Sequence, residues 1–62
     1  MASTDRAENQ RLYDARLARH RAGEDSPALY AELLILAKRL GDAPAQTVWA
    51  QEMRRATDRR AR

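Results

Sequence analysis

Apolar positions recur along this chain with helical spacing, and the recurrence is interrupted twice. Leu29, Leu33, Leu36 and Leu40 follow an i, i+4, i+7, i+11 series, while Tyr30, Leu34 and Ala37 form a second stripe about a quarter-turn away. A helix with two apolar stripes can touch two neighbours at once. Downstream, Ala45, Val48, Trp49, Met53 and Ala56 make one apolar face. Upstream the pattern is poorer: Tyr13, Leu17 and His20 share a stripe with Leu12 at its edge, and Ala7, Ala15, Ala18 and Ala22 fall mostly on the opposite side. The first helix is therefore expected to be the least securely packed.

The interruptions carry start and stop signals. Asp5 and Glu8 make a D-x-x-E start, and good helix formers follow until Gly23, with Arg16, Arg19 and Arg21 toward the negative end of the macrodipole. Gly23-Glu24-Asp25 then reads as a turn. Ser26-Pro27 combines a capping oxygen with a proline at the first helical position, where its missing N–H costs nothing. Gly41 stops the second helix, and Asp42-Ala43-Pro44 repeats the starting device. The pattern predicts helices over about residues 5–22, 27–40 and 44–57, with a frayed basic end at 58–62. Connections of about three residues make neighbours antiparallel. The expected fold is all-α: one small domain over residues 1–62, either a three-helix bundle or a helical hairpin with an additional N-terminal helix laid across it.

Composition narrows the function. Twenty-seven of the 62 residues are hydrophobic, but thirteen of these are alanine, so that, Met1 aside, thirteen larger apolar side chains remain to form a core. That is thin for an independent domain, and a partner surface is one way to complete it. The chain has no cysteine, which removes disulfide scaffolds, thiolate zinc sites and cysteine nucleophiles. Its longest apolar run, Leu33 to Ala37, is five residues against about twenty for a membrane span. The opening MASTDRAEN has no apolar h-region, so a cytoplasmic location is expected. Eleven arginines against one lysine, with the many alanines, point to a GC-rich coding sequence of actinobacterial or phage type.

Candidate chemistry is sparse. His20 has no second histidine or cysteine to make a metal site with, Asp5/Glu8 and Glu24/Asp25 sit where helix ends favour anions, and neither Ser3 nor Ser26 lies in a nucleophile motif. No enzymatic activity, cofactor, metal or small-molecule substrate is expected. Ile35 falls on the back of the second helix between Ala28 and Ala31. It is either a tolerated surface isoleucine or, with Ala28 and Ala31, a contact surface for another chain.

Two stretches resemble known helical hairpins. LAKRLGDAPAQTVWAQEMRRA, Leu36 to Ala56, resembles a helix-turn-helix: Ala37 lies four residues before Gly41, a leucine precedes the glycine, and a polar-starting helix ends in arginines. It departs from that pattern at Asp42, where a small apolar residue normally plugs the turn, and at Val48, one place late. The resemblance implies Gln46, Thr47 and Gln51 as base readers, with Arg54 and Arg55 on phosphates. Tyr30, Leu33, Leu34, Ala37, Gly41, Ala50 and Met53 are similar to a tetratricopeptide-repeat hairpin, in a single copy of a unit that buries its faces by stacking.

The net charge of +3 sits in residues 43–62, where Arg54, Arg55, Arg59, Arg60 and Arg62 face only Glu52 and Asp58. Spread around the helix, these arginines form a solvated end or a salt-sensitive contact to nucleic acid or to an acidic protein surface. The expectation is thus a non-catalytic regulatory or assembly factor that binds another protein or a second copy of itself. The alternative is a small DNA-binding protein of helix-turn-helix type using the third helix, with Arg59 and Arg60 extending its basic surface.

Overall fold

The computed structural model describes residues 2–61, with side chains described from Asp5 onward. Among these residues there are three helices and no strand: α1 over Ala2–Arg21, α2 over Pro27–Leu40 and α3 over Ala43–Ala61. The two outer helices run further than the sequence signals indicate. α1 begins upstream of Asp5, which becomes its first-turn acid and complements the helix dipole. α3 continues past Thr57 to Ala61, so the segment expected to fray is helical as far as it is described. No glycine or proline follows Pro44 to stop it, and the Arg59 guanidinium is held 2.6 Å from the carboxylate of Asp25.

The connections are built as their residues dictate. Ser26 has an extended backbone, and its Oγ accepts a hydrogen bond from the Leu29 N–H at 3.2 Å, the N-cap of α2. At the other end Gly41 takes the left-handed conformation at φ 72°. Its N–H donates to the Lys38 carbonyl and the Asp42 N–H to the Ala37 carbonyl, which satisfies two of the four free carbonyls at the end of α2. Asp42 then caps α3, its Oδ1 accepting from the Ala45 N–H at 3.1 Å. The link between α2 and α3 is therefore only Gly41 and Asp42, and α3 folds straight back along α2.

α2 is the central element and packs against both α1 and α3. Both of its apolar stripes contribute to one core: Leu29, Tyr30, Leu33 and Ala37 cluster with Trp49 and Ala56 of α3, and Tyr13, Leu17, Leu34, Ala45 and Met53 pack around them. α1 and α3 reach one another through side chains, notably Tyr13 and Trp49. The result is a shallow arrangement of 44 × 22 × 14 Å, close to a single layer of helices. Val48 differs from expectation: it is 48 % exposed and contributes little to the core. At about 100° per residue it sits at the edge of the face centred on its neighbour Trp49, and Trp49 takes the buried place. Among the described residues, no helix is long and apolar enough to cross a membrane.

Candidate interaction surfaces

The side of the layer over Leu33 is closed by a polar-aromatic network. Trp49 stacks on Tyr30 with ring centroids 6.0 Å apart, and the His20 ring meets both edge-on, at 5.5 Å from Tyr30 and 5.4 Å from Trp49. Each polar tip has a partner. The Trp49 indole N–H donates to the Tyr13 hydroxyl at 2.9 Å, and the Tyr30 hydroxyl makes a short bond to Asp25, with His20 Nδ1 3.5 Å away. Asp25 also receives Arg59, so one carboxylate ties the start of α2 to the end of α3. The bond to Asp25, together with burial and the carboxylate's charge, pushes the Tyr30 phenol up to about 12. This side joins the three helices through its polar tips. No group of three or more His, Asp or Glu side chains is placed to hold a metal among the described residues.

The opposite side of α2 is different in kind. Ile35 is 50 % exposed, Ala28 is exposed and Ala31 half-buried beside it. Toward α1, a shallow cleft is lined by Leu12, Arg16, Glu32, Ile35, Leu36 and Arg39. Its floor is apolar and its rim charged. Glu32 Oε2 lies 3.4 Å from Arg16 and 3.7 Å from Arg19, whereas Arg39 makes no ion pair among the described residues. Arg19 pairs more closely with Glu24, in a two-pronged contact at 2.7 and 2.9 Å that draws the Glu24 carboxyl below its ordinary range. The α2 periodicity indicated Ala28, Ala31 and Ile35; the contribution of Leu12 and Leu36 depends on where α1 lies and was not visible in either helix alone.

The outward face of α3 carries the residues of the helix-turn-helix resemblance. Thr47, Gln51, Arg54, Arg55 and Arg60 are exposed, while Gln46 is half-buried. Two of the basic groups are already engaged within the chain: Arg55 lies 3.0 Å from Glu52, and Arg59 is bound to Asp25. The hairpin geometry also departs from that resemblance. A helix-turn-helix crosses steeply, at about 90–120°, but the pairing of Tyr30 with Trp49 and of Asp25 with Arg59 places α3 antiparallel along the length of α2. Among the positions of the tetratricopeptide-like pattern, Tyr30, Leu33 and Ala37 are buried, Leu34 and Met53 half-buried, and Ala50 exposed. No family model matches the chain, and neither curated proteins nor solved structures give a match.

Proposed function

We propose that this chain is a small non-catalytic interaction module, a regulatory or assembly factor whose outward α2 face is covered by another protein surface. The observation that carries this reading is Ile35, a large apolar side chain half exposed in the middle of the central helix with small residues beside it and an apolar cleft floor next to it. Small neighbours let a second backbone approach closely, and the charged rim around the cleft gives register to whatever docks. DNA binding through α3 has less support, because the hairpin is antiparallel and Arg55 and Arg59 are committed to carboxylates of the same chain.

Two variants separate these functions. Ile35→Asp should abolish association with the protein partner and leave the helical circular dichroism signal unchanged, because a charge on this exposed face strands no internal group but cannot be buried in an interface without loss. The double change Arg54→Ala, Arg55→Ala should have little effect on that association. The decisive comparison is purification of intact wild-type and variant protein from the native host, scored for co-purifying protein against co-purifying nucleic acid. Nucleic acid that is retained by Ile35→Asp and lost with the two arginines would contradict the proposal.

A further inference from the structure

We infer that the surface covering the outward face of α2 is the same face of a second copy of this chain, packed antiparallel about a two-fold axis beside Ile35; the inference rests on the reading of that face as an interface. Three observations carry it. The first is architectural: the molecule is close to one layer of helices, 14 Å in its thinnest dimension, and helices normally bury an apolar face between two layers. The broad side of 44 by 22 Å has room for the roughly 800 Å² per partner of a standard interface. A second copy supplies the missing layer.

The second observation is the charge pattern around Ile35. Glu32 and Arg39 lie on the same flank of Ile35, about 60° and 40° around the helix, one roughly 4.5 Å before it and the other roughly 6 Å after it. Reversing a second α2 about an axis beside Ile35 keeps each flank on its own side and exchanges the two heights. Glu32 then stands within about 1.5 Å of the height of the second copy's Arg39, and symmetry makes the pair twice. On the other flank, Lys38 falls over the second copy's Ala31, where its aliphatic stem can lie on a small residue. A parallel two-fold arrangement would exchange the flanks and instead set Arg39 beside the second copy's Lys38, a like charge, and Glu32 beside its Ala31.

The third observation is that both partners are available. Glu32 keeps 44 % of its side chain exposed while lying 3.4 Å from Arg16 and 3.7 Å from Arg19, and Arg39 has no ion pair among the described residues. The antiparallel dimer gives each an opposite charge while Ile35 meets its own copy at the axis. Ala28 and Ala31, close to either side of Ile35, let the backbones approach, and the half-buried Leu12 extends the apolar contact toward α1.

The test uses the full chain and a charge exchange. Arg39→Glu and Glu32→Arg, each alone, should weaken self-association in sedimentation equilibrium by at least about tenfold, since each sets like charges opposite one another at both contacts. Mixed in equal amounts, the two variants should recover association as a heterodimer, because both contacts are then again opposite in sign. Because the chain has no cysteine, Ile35→Cys should also oxidise to a disulfide-linked dimer, while Ala18→Cys, on the outer side of α1, should not. Variants that fail to associate separately and do not recover on mixing, or cysteines that cross-link equally at 35 and 18, would overturn the inference. So would a wild-type chain that stays monomeric at roughly millimolar concentration. Loss of a different protein partner on Ile35→Asp would then leave the interface reading standing without the dimer, whereas an Ile35→Asp variant that changes no association would remove both.

Discussion

Tyr30 is the side chain on which most of the packing converges. Its ring stacks on Trp49 and meets His20 edge-on, and its hydroxyl bonds Asp25, which in turn holds Arg59. Tyr30→Phe keeps the ring and removes the bond, so stability should fall by about 1 kcal/mol. In a domain of this size that corresponds to ~4–8 °C in melting temperature, readable by circular dichroism. The same bond sets an alkaline limit. Tyr30 is pushed up to about 12 in the folded chain, against about 10 when unfolded. The folded state holds this proton more tightly, so the contribution is complete below about pH 10 and is lost as pH rises through about 12. Wild-type stability should therefore decline across that window, and the decline should be smaller in Tyr30→Phe. None of this network was visible from the sequence, because Tyr13 and Trp49 are 36 residues apart and the periodicity of one helix does not fix its register on another.

The elements are held in register by caps whose residues announce them. Gly41→Ala should destabilise the chain by about 1–2 kcal/mol, for the left-handed backbone at φ 72° and not for lack of space, since a Cβ there meets no atom within 4 Å. Ser26→Ala should cost about 1 kcal/mol through the lost bond to the Leu29 N–H; denaturant titration of both variants checks the two figures. These local signals are why α2 was legible to the residue, from Ser26-Pro27 to Gly41. The end of α3 was not, because what holds it is a pair between Asp25 and Arg59 that no local pattern contains. Val48 was misplaced for a related reason: periodicity groups it with Trp49, but how α3 lies on α2 decides which edge of that face is buried. Ile35 was placed correctly on the back of α2 because both apolar stripes of that helix contribute to the core, leaving its remaining side outside.

At the scale of the whole molecule, a core centred on six buried residues and a layer 14 Å thin leave Ile35 half exposed on a face that the chain does not cover itself. If a second copy covers it, the melting temperature should rise with protein concentration, because association draws the folded state forward by mass action. A monomer by sedimentation with a concentration-independent melting temperature above ~90 °C would contradict this. The most direct test of the covered face uses the fact that Ile35 is the chain's one isoleucine. Labelling the isoleucine methyl gives a single magnetic resonance probe at the centre of that face. Its relaxation by a soluble paramagnetic compound should be strong in dilute protein, where the side chain is 50 % exposed. It should fall several-fold as the concentration is raised to roughly millimolar, and remain strong in Arg39→Glu at the same concentration. A methyl that stays equally accessible from dilute to concentrated wild-type protein would contradict the account.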